Sequence, residues 1–458
     1  MSKSGITALL AALLWGCGIG QSPPNKSSQV AQGPIAQAIH EDLAARIAIP
    51  LSKPHSAMDR ALEALYAVRG YQALWNDPAT LAALMGPGFG ALAEDGLRAE
   101  TYVLEDWVDR GRQVYADGVS ARERASFDLQ ISRRYLRALS NVAYGKVNPA
   151  SVGTQWETAP TAVDQRVAMA WVALAAQTGG VRSAFALARP PAPLYEQLRS
   201  ALALQTADPQ KASQLRVNLE RTRWLFQDLP ASYVLVDIAS YRVRYQRPSG
   251  EVWESKVVVG RPYRETPAFR SEIDKLTVNP TWTVPPTIFE KDIAPKAQQN
   301  AAATLAKKHL RAIDGQGNEV PLDSIDWSDS RSVILRQDPG PENPLGQIKI
   351  SFDNPYQVYL HDTPSRALFE EDARANSSGC IRVENVLELA RLLLEDSATT
   401  ADLQRLVSDS KTKEIKLNRV IPVLLHYSTV DVTPAGEVVF EKDIYNRDPA
   451  LLAALDQT

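Results

Sequence analysis

Near residue 230 the chain changes period, and that change constrains the fold more than any other feature. Before it, segments such as 56–69, 120–145, 162–178 and 193–226 carry Ala, Leu, Arg and Glu at helical spacing. After it come short β-rich runs, YVLVDI, YRVRYQ, WESKVVVG, KLTVNP, SVILRQ, GQIKISF and YQVYLH, separated by turn residues. Helices followed by mostly antiparallel strands predict a multidomain α+β protein, with a helical scaffold over 38–228 and a mainly antiparallel β-domain over 229–430. The 458 residues are long enough for more than one core. In the run LRVNLERTRWLF (215–226), Leu215, Leu219, Trp224 and Leu225 share a stripe, which predicts an amphipathic helix with its arginines outside.

Within the β-domain, residues 285–344 are polar and partly helical before strands resume, which marks a lid insert. A helical run, 384–396, follows, then strands over 421–432 and 436–443; residues 431–458 form a C-terminal β extension and tail. At the other end, residues 5–16 are an apolar run of signal-peptide length, so 1–20 are expected to be an export signal. Two processing readings compete: a lipobox ending at Cys17, whose lipid would anchor the chain to a membrane, and an ordinary cleavage after Gly18-Ile19-Gly20. Residues 21–37, rich in Pro, Ser and Gly, read as a flexible tether. The formal net charge of −3, without a long basic run, argues against a nucleic-acid partner.

The two cysteines, Cys17 and Cys380, make the most informative count. After export Cys380 is the only free thiol, with no disulfide to form. It sits in Ser377-Ser378-Gly379-Cys380, where Gly379 permits a tight backbone approach, ahead of Ile381-Arg382-Val383 and then a helix. In the strand YQVYLH, alternation puts Gln357, Tyr359 and His361 on the polar face and Val358 and Leu360 on the core face. A thiol, an imidazole base and backbone N–H donors are the parts of cysteine acyl transfer. Asp362 follows His361 directly and so points to the opposite face; a backbone carbonyl is the expected orienter of the imidazole. His309 and His426 have no partner at metal-ligand spacing, so neither metal nor cofactor is expected.

The block YQVYLHDTPSRALFEEDARANSSGCIRVENVLELA (356–390) resembles the signature of L,D-transpeptidases with a YkuD-type catalytic domain. The likeness extends to VVVGRPYRETPAF (257–269), NPTWTVPPTI (279–288), RQDPGPENPLG (336–346), and the N-terminal stretches ALYAVRGYQALWND (64–77) and EDGLRAETY (94–102), and is greatest to the YcbB-type branch. It implies an enzyme, a cysteine acyltransferase forming 3→3 cross-links between peptidoglycan stem peptides in the periplasm of a Gram-negative bacterium. It also implies Cys380 as nucleophile, His361 as base, amides near Gly379 and Cys380 as oxyanion donors, and Tyr359, Ser378, Arg382, Trp282 and Asn279 lining the substrate site. The 285–344 insert would cap the cleft, and carbapenem β-lactams would acylate the thiol. Two departures stand out: many members have His where this chain has Ser378, and the branch's peptidoglycan-binding pattern Asp-Gly-x-x-Gly-x-x-Thr is missing between 185 and 226. An envelope protein partner is one substitute for that module. The same site would serve an L,D-carboxypeptidase or endopeptidase, and a non-catalytic wall-binding protein is the third reading.

Overall fold

The computed structural model describes residues 32–457 apart from 49–55, 104–105, 154–167, 170–171, 174–179, 206, 226–228 and 434. The export signal, Cys17, most of the tether and most of the 162–178 helix lie outside these. The tether is shorter than expected, because Pro34 already opens a helix, Pro34–Ile47, that buries Ala36, Ile39 and Leu43.

The N-terminal half packs around the Ala121–Tyr144 helix, started by a reciprocal capping box between Ser120 and Glu123. Inside it the carboxylate of Asp128 accepts the Leu74 and Trp75 amides at 3.0 and 2.8 Å and the Tyr115 hydroxyl at 3.1 Å. Burial pushes the Asp128 carboxyl up, against these donors. The chain then enters the Pro209–Leu225 helix, which corrects the expectation of an arginine-coated outer face. Arg221 and Arg223 are buried, at 0% and 1% exposure. Arg223 pairs with Glu220 at 2.6 Å, both side chains fully covered, and Arg221 pairs with Asp448 at 2.6 Å. This helix is wedged between the scaffold and the β-domain, so its charged face meets charges from both instead of water.

Among the described residues the β-domain holds fourteen strands: β1 Tyr233–Asp237, β2 Arg242–Gln246, β3 Val252–Gly260, β4 Phe269–Val278, β5 Trp282–Thr283, β6 Arg311–Ile313, β7 Ile334–Gln337, β8 Ile348–Phe352, β9 Leu360–His361, β10 Ala375–Ser377, β11 Ile381–Val383, β12 Lys413–His426, β13 Val430–Val432 and β14 Val438–Phe440. The main sheet runs β10-β3-β11-β9-β8-β4-β12-β1-β2, and β2 pairs back onto β3, so eight strands close a ring with β10 as an appendage. Closure leaves the ring without a free edge. Pairings are mostly antiparallel, with β1–β12, β10–β3 and β11–β9 parallel. The mainly β domain behind a helical region is the α+β class expected.

The insert is a small unit with its own sheet, β5-β7-β6, and its own core of Val284, Phe289, Ile293, Leu305 and Leu335. Beyond β14 the chain does not trail off as a β tail. It ends in the helix Asp448–Asp456, whose Leu451 and Leu455 are buried. Lys146 of the scaffold donates to the Leu455 carbonyl at 2.8 Å, and Arg216 binds Asp456 at 2.7 Å.

Candidate active site

The β-ring register assembles one polar patch from three strands. β9 and β11 run parallel with Arg382 opposite His361, and β8 runs antiparallel with Lys349 opposite His361. Residues directly opposite share a face, so Lys349, His361 and Arg382 lie together, with Tyr359 two residues before His361. Ile350, Leu360 and Ile381, on the alternate positions, are fully buried in the core. The expected strand 356–361 is cut to Leu360–His361. Asn354 is the reason: its side chain accepts the Tyr356 and Val358 amides and donates to the Phe352 and Val358 carbonyls, so a side chain takes the place of a ladder. The resulting turn aims the Gln357 carbonyl at the Cys380 thiol, 3.8 Å away.

Cys380 sits in a bend between β10 and β11, and the helix Val386–Asp396 begins after β11. Gly379 has φ 116°, a conformation closed to side-chain-bearing residues. Ser377 ties the bend: its hydroxyl donates to the Cys380 carbonyl at 2.6 Å and accepts the Gly379 N–H at 3.0 Å. Behind the bend, the Thr266 hydroxyl donates to the Gly379 carbonyl at 2.8 Å and accepts the Gly260 N–H at 2.9 Å. Tyr445, from the C-terminal segment, donates to the Gly260 carbonyl at 2.6 Å and accepts the Thr266 N–H at 3.2 Å.

Residues 231–408 match the model of the L,D-transpeptidase catalytic domain, the YkuD family, and residues 60–202 match that of the scaffold domain. The chain thus carries a YkuD L,D-transpeptidase catalytic domain, with a scaffold domain ahead of it. A Haemophilus influenzae protein, provisionally named an L,D-transpeptidase, is 34% identical over 219 residues, covering 47% of this chain and 44% of its own length. The chain therefore matches less than half of that relative. A solved structure of the Ldtfm–avibactam carbamoyl enzyme aligns over 44% of this chain and 50% of its own at 15% identity and a TM-score of 0.22, a likeness that carries no argument.

In this transpeptidase domain the imidazole is neutral. His361 is 4% exposed, and burial, then the charges of Arg382 and Lys349, push its pKa down to about 3. Its Nδ1 meets the Asp362 carbonyl at 2.5 Å, and the Pro344 carbonyl also faces the ring. With the proton on Nδ1, Nε2 keeps the lone pair that a base needs. The Asp362 carboxylate is turned elsewhere, accepting the Gln347 amide at 2.9 Å and pairing with Arg366 at 3.2 Å. Burial raises the Cys380 thiol above its ordinary value, opposed by the Tyr359 N–H and hydroxyl and by Lys349 and Arg382. The resting pair is thus thiol and imidazole, not thiolate and imidazolium. The thiol points to the Gln357 carbonyl. Tyr359 stays protonated, its phenol pushed well up by burial and by Cys380. Its ring lies edge-on to His361 at 5.6 Å and under the Lys349 ammonium at 4.2 Å.

Other residues singled out in the sequence are placed differently. Gly379 keeps its turn, but its N–H is committed to Ser377, which removes it as an oxyanion donor. The Cys380 N–H meets no acceptor among the described residues and is a free donor of the bend. Asn279 lies outside the patch: its amide group donates to the Leu406 and Val407 carbonyls at 3.0 Å, capping the Leu403–Ser408 helix. Trp282 starts the insert sheet and packs on the insert core. Ser378 accepts a hydrogen bond from Arg264 at 2.9 Å, and Arg264 also binds Asp292 of the insert at 2.7 Å. Lys349, Thr266, Arg264 and Tyr445 were missed. Lys349 alone had a local signal, its polar phase in GQIKISF.

Proposed function

We propose that the protein is a peptidoglycan L,D-transpeptidase that forms 3→3 cross-links through a thioester on Cys380. One observation carries the reading. In a YkuD domain, a thiol 3.8 Å from the Gln357 carbonyl lies beside a patch that holds a buried, neutral imidazole whose Nδ1 is held by a carbonyl.

In this mechanism His361 Nε2 takes the thiol proton as Sγ attacks the carbonyl carbon of the third stem residue. The Cys380 N–H and the Tyr359 hydroxyl stabilise the oxyanion. The C–N bond to D-Ala breaks, the imidazolium returns the proton to the leaving amine, and a thioester remains. An amine of a neighbouring stem then attacks the thioester, His361 accepts its proton, and the thiolate is re-protonated as the new amide forms. The insert over 285–344 would cover acceptor and thioester and exclude water. The same thiol is the proposed target of carbapenems, and the periplasm the proposed compartment.

The test is purified protein on tetrapeptide muropeptides. D-Ala release, cross-linked dimers and an acyl adduct on Cys380 are expected. D-Ala release with tripeptide and no dimers would assign the hydrolase instead. No release and no adduct, with full rescue of a deletion strain by Cys380→Ala, would leave a wall-binding protein.

A further inference from the structure

Most arginines around the nucleophile bend are matched with carboxylates. Arg264 has Asp292, Arg366 has Asp362, and Arg447 has Glu265. Two are not. Among the described residues no carboxylate pairs with Arg382 or Arg261, and Arg382 Nε is buried without a hydrogen-bond partner. A desolvated guanidinium with an orphaned donor is costly unless something arrives to satisfy it. Burial, and then the charge of Arg261, disfavour the charge on Arg382.

The backbone builds this clash deliberately. The Arg261 N–H donates to the Ser377 carbonyl at 3.1 Å, next to the nucleophile bend. Gly260, just before it, turns so tightly that a Cβ there would lie 2.2 Å from the Arg264 carbonyl oxygen and 2.7 Å from the Thr266 nitrogen. Only glycine allows the 260–266 loop to fold back and place Arg261 there. Arg382 stands in β11 two residues beyond Cys380, roughly 7 Å along a strand.

We infer that Arg261 and Arg382 form the seat for the C-terminal carboxylate of the residue that leaves the donor peptide. The inference rests on the reading of Cys380 as nucleophile. The carboxylate of a terminal residue lies about one residue length, roughly 3.8 Å, beyond the carbonyl that the thiol attacks. A guanidinium anchored on Arg382 spans the rest, and two planar forks suit a carboxylate's paired oxygens. The seat makes the enzyme selective for donors that end one residue past the scissile bond. It also links binding to chemistry: Arg382 depresses the basicity of His361, and a bound carboxylate offsets that charge when the base is needed.

The experiment compares a tetrapeptide donor with its C-terminal carboxamide, reading thioester formation on Cys380 by intact-mass kinetics in the full chain. Wild type is expected to favour the free acid about 10- to 100-fold in kcat/KM. In Arg261→Gln and in Arg382→Gln that ratio falls toward one, and Arg261→Lys keeps an intermediate ratio. If Arg382→Gln does not fold by thermal melting, Arg261→Gln, on a loop, decides. Equal use of both donors by wild type, or a ratio that survives the Arg261 change, overturns the seat. Failure of wild type to be acylated by either donor is a different outcome, and it removes the nucleophile reading itself.

Discussion

The reactivity of Cys380 toward iodoacetamide should climb about tenfold per pH unit from pH 6 to 9 without levelling. The magnitude follows from the thiol's surroundings. Burial holds the thiol above its ordinary value, so thiolate is a small minority at neutral pH, and only thiolate is alkylated. No inflection is expected near 6.5, the ordinary histidine value, because His361 is pushed down to about 3 and stays neutral through this range. Tyr359→Phe removes one donor to the sulfur and should slow alkylation at pH 8 by about tenfold, the worth of one hydrogen bond to a charged group. The assay is initial alkylation rate, read on the Cys380 peptide by mass spectrometry so that Cys17 does not contribute. A plateau below pH 7, abolished by His361→Ala, would refute the reasoning by showing a resting thiolate–imidazolium pair.

Thr266→Val removes the hydroxyl between Gly260 and Gly379 while keeping shape; kcat for acylation should fall about tenfold, with KM little changed and about 1 kcal/mol lost from stability in urea unfolding. Glu220→Gln strands the buried Arg223 charge and should cost about 3–5 kcal/mol, seen as a large drop in the unfolding midpoint. Burial pushes Asp237 up to about 7 from 3.8, so the folded state holds a proton that the unfolded chain has lost, and stability falls as pH rises through that window. Asp237→Asn should therefore stabilise by about 2–4 kcal/mol at pH 8 and little at pH 4; equal effects at both would show that the carboxyl is not protonated. Asp292→Ala frees Arg264 from the insert and should raise KM for the acceptor more than for the donor in dimer-forming assays.

Much of this arrangement was legible because it is local. The switch of period at 230 marks helices from strands. Alternation put Tyr359 and His361 on one polar face, and adjacency turned Asp362 away from the ring. What failed was long-range. Arg221 looked like a solvated charge because Asp448, its partner, stands in another element at the far end of the chain. The closing of β2 onto β3 and the juxtaposition of Arg261 with Arg382 depend on strand order, which no local pattern encodes. Asn354 shortened a strand by supplying with one side chain the bonds that a neighbouring strand otherwise gives. Asn279 and Trp282 sit in a shared motif, yet a motif does not say whether a residue touches substrate or holds up what does.

Tyr445 has a consequence for timing. It braces Thr266, Thr266 braces Gly379, and Gly379 shapes the bend that carries the thiol. The strut stands sixty-five residues after the thiol, so it is made later. A nascent chain that has not yet reached Tyr445 has its thiol but not the brace behind it. The braced bend therefore forms only after Tyr445 has been made, and the order of the chain itself delays the shaping of the thiol's surroundings.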